Sequence, residues 1–233
     1  MKVTFCTGGK GGVGKSFVAA CVAGLYDAAG AEAYVVDADF RTADVSARYP
    51  ERSVRVDLNA ERGWRLLSDV IERLDAPVVV NMGADVSNVE ERYAADAAET
   101  FHAAGGEVAL IWVLTPAPES LAHLAESARR GVMRRAGIKK IVAMNLIEEG
   151  LAVEDFDQYQ RSPVREGLVK GGTLEVTVPH LFRDYALALR GRPLSLAADG
   201  FAQGLNLFGR MRVRKWWQEM SAGLAPALGI EIP

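Results

Sequence analysis

Short runs of Val, Ile, Leu and Phe alternate along the chain with longer segments whose apolar residues recur every three or four positions. Runs of the first kind suit strands buried on both faces, and segments of the second kind suit helices with one apolar side. The strand-like runs are Lys2–Thr7, Ala33–Val36, Val78–Asn81, Val108–Leu114, Ile141–Met144 and Leu174–Val178. Helical spacing covers Lys15–Ala29, which stops at Gly30, then Ala60–Leu74, Val89–Ala104, Glu119–Ala136, Leu181–Arg190 and Phe201–Leu224. Such alternation predicts an α/β fold, a three-layer α/β/α arrangement around a mostly parallel twisted sheet. Ligands of such sheets bind at the carboxyl ends of the strands. The segment Glu148–Gly172 has no regular period and reads as a surface insertion within a single domain spanning residues 1–233.

The first strand end carries the clearest chemistry. Gly9-Lys10-Gly11-Gly12-Val13-Gly14-Lys15-Ser16 matches GxxxxGK[ST] in full, after a strand and before a helix, which is the context a phosphate-binding loop requires. Glycines let successive main-chain N–H groups turn toward one anion, and the positive end of the following helix faces the same point. In such a loop Lys15 reaches the β and γ phosphates, and the Ser16 hydroxyl binds Mg²⁺. The expected fold is therefore of the P-loop NTPase type, with ATP and Mg²⁺ as cofactors.

Composition narrows the remaining choices. With 27 Lys and Arg against 30 Asp and Glu, the formal charge is −3, so the chain as a whole lacks the surplus of a nucleic-acid protein. Two cysteines, Cys6 and Cys21, form no CxxC pair and fit a reducing compartment. The N-terminal residues lack a signal-peptide layout, and no apolar stretch is long enough to span a bilayer, so the expected location is cytoplasmic.

The string Lys10-Gly11-Gly12-Val13-Gly14-Lys15-Ser16 resembles the deviant loop of the ParA/MinD family of P-loop ATPases, with Lys10 at the place of its signature lysine. The resemblance runs from Met1 to about Pro193. It implies a nucleotide-gated homodimer in which Lys10 crosses to the phosphates of the second chain. It also implies slow hydrolysis stimulated by a partner protein. Asp37 and Asp39 resemble the family's DxD, which implies Asp37 in the outer shell of the metal and Asp39 positioning the attacking water. Asn145 matches the Asn that reads the adenine edge, Val178-Pro179-His180 matches the segment against the base, and Leu187 to Pro193 resembles a helix ending in G-x-P.

Two departures stand out. Phe17 replaces the second Ser or Thr that touches the α phosphate in many members, so that contact is missing or falls to the backbone. Asn81 stands where the family has a Walker B Asp, so a metal there is held without that charge; Asp85 lies in the loop beyond.

Arg129, Arg130, Arg134 and Arg135 recur at helical spacing and offer a basic stripe for non-specific DNA, as in ParA-like proteins. In Phe208–Met220 basic and apolar residues are mixed around the wheel, which argues against a membrane helix. Two further readings stay open: a nucleotide-binding interaction module with little hydrolysis, and a small-molecule kinase or amide-forming ligase with a lid at 148–172.

Overall fold

The computed structural model describes residues 2–39, 44–83, 88–135, 137–200 and 204–232. In chain order the elements are β1 (Lys2–Thr7), α1 (Lys15–Ala28), β2 (Tyr34–Asp37), β3 (Ser53–Arg55), α2 (Glu61–Arg73), β4 (Val78–Asn81), α3 (Asn88–Ala103), β5 (Glu107–Leu114), α4 (Pro118–Arg130), β6 (Lys139–Asn145), α5 (Asp157–Gln160), α6 (Pro163–Lys170), β7 (Leu174–Val178), α7 (Arg183–Ala188) and α8 (Leu207–Leu228). The strands form one sheet in the order β3-β2-β4-β1-β5-β6-β7, and each neighbouring pair is parallel. The expected α/β class holds.

Side chains of each strand alternate between two cores. Cys6, Val35, Val79 and Ile111 face a core shared with α1 and α8, where Trp216, Trp217 and Met220 pack. Val3, Phe5, Val36, Val80 and Leu110 face the other, shared with α2, α3, α4 and α6 through Trp64, Leu67, Phe101, Leu124 and Leu168. Because both faces are covered, the strand runs carry no polar alternation, which is why they read as continuous apolar blocks.

The topology fixes where a ligand belongs. From β1 the chain runs through α1 to β2 on one side, and β4 later runs through α3 to β5 on the other. The crevice at this reversal lies at the carboxyl end of β1, where the glycine-rich loop begins. Close packing holds α1 in place. A Cβ at Gly24 would lie 2.9 Å from the Ser195 amide nitrogen and 3.2 Å from the Trp217 ring. Gly24→Val is therefore expected to lower stability by about 2 kcal/mol through overpacking, read from a denaturant midpoint, with an unchanged m-value.

Several boundaries differ from the sequence reading for identifiable reasons. The edge strand β3 was not expected; its three residues are half-buried or exposed and include Arg55, so no apolar run marks it. The helix expected over Glu119–Ala136 stops at Arg130. Gly131 is extended (φ −101°, ψ −159°), and a short 3-10 turn follows at Val132–Arg134. The four arginines are thus not one helical stripe. Arg129 and Arg130 both pair with Glu126, and Arg135 pairs with Glu99 at 3.2 Å.

Segment 148–172, read as a surface insertion, connects β6 to β7 through short helices and is mostly exposed. Its Phe156, Tyr159 and Leu168 are buried in the second core, and a two-pronged ion pair from Arg165 to Glu175 at 2.8 Å ties α6 to β7. The last helix starts at Leu207 rather than Phe201; residues 201–203 lie outside the described residues.

Candidate functional site

The loop between β1 and α1 turns on glycines at positions where a side chain would be strained or crowded. Gly12 and Gly14 take positive φ, +82° and +95°, which side chains rarely adopt. A Cβ at Gly14 would also fall 2.2 Å from the Asn145 amide nitrogen, and one at Gly9 would fall 2.1 Å from Cβ of His123. Gly8, just outside the motif, approaches the Val113 carbonyl so closely that a Cβ would sit at 2.8 Å. The loop is pressed against the ends of β5 and β6 and against α4, so its amides are fixed in direction before any ligand arrives.

Lys15 is almost fully buried (5 % exposed), and its Nζ donates to the Lys10 carbonyl at 2.8 Å. That bond holds the ammonium inside the arch of the loop. The N-terminus of α1 has no side-chain cap and no acidic residue in its first turn. Its free N–H groups and dipole suit an anion in the arch. Lys10 points outward instead. It is half exposed and lies 3.7 Å from Glu119 in the first turn of α4. An exposed pair of this kind is worth at most about 1 kcal/mol, so Lys10 is easily released to a stronger anionic partner.

The acidic side of the site comes from neighbouring strands. Asp37 ends β2 and Asn81 ends β4, paired in register, with Cys6 of β1 opposite Asn81 on its other side. Both Asp37 and Asn81 are wholly buried. The Asn81 amide donates to Asp37 Oδ1 at 2.9 Å and to Ser16 Oγ at 3.2 Å. The Asp37 carboxylate also accepts from the backbone N–H groups of Asp39 at 3.2 Å and Ser46 at 3.0 Å. It thereby anchors both ends of the segment after β2. Asp39 follows on that segment, less buried than Asp37. Asp85 lies outside the described residues.

Whether these groups suit Mg²⁺ is tested by one atom. Asn81 Oδ1 is buried with no hydrogen-bond partner, on the same side chain whose amide nitrogen bonds Ser16 Oγ and the Asp37 carboxylate. An orphaned buried acceptor on a side chain joined to a hydroxyl and a carboxylate fits a place for a hard cation or its bound water. Among the described residues no three His, Cys, Asp or Glu cluster as a metal cage. The donor set therefore fits a metal that arrives with phosphate oxygens of its own rather than one held by protein alone.

The residues expected to meet the base give a more mixed picture. Asn145 ends β6 and is 2 % exposed, but its amide donates to the Val13 carbonyl at 2.9 Å. One of its donor hydrogens thus supports the glycine-rich loop. The Phe17 side chain packs on Trp216, ring centroids 5.6 Å apart, and turns into the core rather than toward the arch. The Pro179 carbonyl accepts from the Trp216 indole at 2.9 Å, and His180 Nδ1 meets the Ile147 carbonyl at 3.1 Å. These contacts place Phe17, Asn145, Pro179 and His180 around the start of α1.

Three residues of the site escaped the sequence. Glu119 and His123 meet the loop from α4, and nothing in their spacing announces it. Arg48 is largely buried, which lowers its pKa by desolvation, and donates to the carbonyls of Leu189 at 2.7 Å and Arg192 at 2.8 Å. It ties the segment anchored by Asp37 to the G-x-P turn after α7.

No protein-family model and no curated protein sequence matches the chain. Solved structures do. The MinD cell division protein of Aquifex aeolicus is 17 % identical, over 100 % of this chain and 99 % of that one, with a TM-score of 0.55. The septum site-determining protein MinD of Pyrococcus horikoshii, solved with Mg-ADP, is 17 % identical over 94 % and 96 % of the two chains, with a TM-score of 0.56. The pNOB8 ParA structure is 11 % identical over 98 % of each chain, with a TM-score of 0.60. At such identities the likeness is one of architecture, and it extends over nearly the whole length of both partners: this chain has the fold of the MinD and ParA structures.

Proposed function

We propose that the chain is a nucleotide-gated ATPase of the ParA/MinD type. ATP would be held by the main chain of residues 9–16 and by Lys15, and Ser16 and Asp37 would hold Mg²⁺, with Asn81 as their uncharged neighbour. The observation that carries this reading is the convergence of Lys15, Ser16, Asp37 and Asn81 at three adjacent strand ends, with Asn81 Oδ1 left unpaired. A divalent ion there supplies charge neutralisation for the phosphates. Asp39 orients the water, and the Asp37 carboxylate holds the Asp39 backbone in reach. Lys10 is the dimer contact: its weak bond to Glu119 leaves it free to bridge to the phosphates bound by a second copy. A partner protein that speeds turnover and a cytoplasmic location complete the proposal. Among the described residues no helix is long and apolar enough to cross a membrane.

The test separates binding from association. Lys10→Ala is expected to bind Mg-ATP within about fivefold of the natural chain, because only an exposed contact is lost. It should fail to form the ATP-dependent dimer seen by light scattering. Asp39→Ala should bind and dimerise while turnover falls by about 100-fold. Equal dimerisation of the Lys10 variant would overturn the bridging role.

Asn81 favours one second reading, an interaction module that binds nucleotide and hydrolyses little. The kinase or ligase reading loses ground, because Arg165 in 148–172 is committed to Glu175 and the segment's buried side chains pack into the core. Non-specific DNA at the α4 end stays a secondary reading: Arg129 and Arg130 share one carboxylate, Glu126, and Arg135 meets Glu99, in exposed pairs that a phosphate can displace.

A further inference from the structure

A groove of about 790 Å³ opens between α4, α6 and the start of β6, against about 310 Å³ for the hollow beside the phosphate loop. Lys140 is the second residue of β6 and Thr173 immediately precedes β7, so the groove lies at the amino ends of the strands. That is the opposite end of the sheet from the nucleotide site. Its walls are apolar and low. Ala122 and Ala125 line one side, and Val164, Gly167 and Leu168 line the other.

Charge at the rim is unbalanced. Arg129, Arg134 and Lys140 border the groove with Glu126 as the carboxylate among them. Glu126 is engaged by Arg129 and Arg130. Among the described residues Arg134 donates to the Arg129 carbonyl, at 3.4 Å, and no carboxylate pairs with Arg134 or Lys140. Burial lowers the pKa of the Lys140 ammonium, as expected for a cation drawn from water without a counter-ion. On the floor, the Thr173 hydroxyl is buried and unpaired.

Size selects the kind of occupant. The eight residues of α6 form a wall about 12 Å long at 1.5 Å per residue, which is only two turns of a docked helix. The volume falls within the range of small-molecule pockets, roughly 300–1,000 Å³. We propose that this groove is a second binding site, independent of the nucleotide, for a small organic anion: an apolar body lying between α4 and α6 with its acidic head on Lys140 and Arg134.

The test uses anilinonaphthalene sulfonate as the probe, an aromatic body with one sulfonate, titrated against the full chain by fluorescence. Saturable one-to-one binding is expected, displaced by decanoate and untouched by Mg-ATP. Lys140→Gln should weaken it about tenfold, in line with loss of one charge-assisted contact. Gly167→Phe should abolish it by filling the groove. A Cβ at Gly167 meets nothing within 4 Å, so this variant is expected to fold, and its melting curve checks that. Unsaturable binding, displacement by Mg-ATP, or unchanged affinity in both variants would each overturn the site. Failure here leaves the nucleotide reading intact, since no residue is shared.

Discussion

Lys15→Ala is expected to weaken Mg-ATP binding by at least about 100-fold, the loss of two hydrogen bonds from an ammonium to phosphate oxygens at about 1.5–3 kcal/mol each. The ammonium is enclosed by the loop and held by the Lys10 carbonyl, so its direction is set before the anion arrives. Stability without nucleotide should change by no more than about 1 kcal/mol. The variant loses the bond to the Lys10 carbonyl, yet it also no longer buries a cation, and the two effects oppose each other. The natural chain should therefore gain melting temperature on adding Mg-ATP, and the variant should not. Lys15→Arg is expected to fail as well, because a planar fork does not replace a point charge inside so tight an arch. Isothermal titration with Mg-ATP gives the answer; undiminished affinity in Lys15→Ala would remove the nucleotide site from the loop.

What the sequence could show depended on whether a feature is local. The loop at residues 9–16 is a contiguous stretch whose geometry follows from its own glycines, so it was legible. The six longer strands were legible because burial on two faces leaves an unbroken apolar run, whereas β3, at the sheet edge, has no such run. The helix α4 was overextended because the arginines keep their spacing past Gly131 while the backbone does not. In 148–172 the apolar anchors Phe156, Tyr159 and Leu168 are spread over short helices, so no period emerges.

Within the site, identity was legible and coupling was not. Asn145 was visible as a residue at a strand end, but its bond to Val13 depends on β6 lying two strands from β1. Glu119, His123 and Arg48 act through neighbours at least 100 residues away, a relation only the folded chain contains. The bond from the Asn81 amide to Asp37 belongs to the same class, and it determines how this site differs from one built on an acid.

Asn81→Asp is accordingly expected to destabilise the metal-free chain strongly and to make its stability depend on Mg²⁺. The amide that now donates to Asp37 Oδ1 at 2.9 Å would become an acceptor facing an acceptor, with both groups wholly buried. Two charges about 3 Å apart repel by about 5 kcal/mol even at an effective dielectric near 20. The bond to Ser16 Oγ is lost too. A chelator-treated sample should lose about 3 kcal/mol or more at neutral pH.

The sign with pH follows from the introduced carboxyl. Its ionised form is disfavoured in the fold, so its folded pKa rises above the unfolded value of about 3.9. The variant's deficit is then small below about pH 4 and grows as pH rises through the folded pKa. Mg²⁺ should offset the repulsion and recover much of the lost melting temperature, while the natural chain without nucleotide should respond little. With Mg-ATP, faster turnover in the variant would show that the neutral amide restrains hydrolysis in the natural chain. A variant as stable as the natural chain at pH 8 without metal, or one indifferent to Mg²⁺, would mean that these strand ends do not form a cation site.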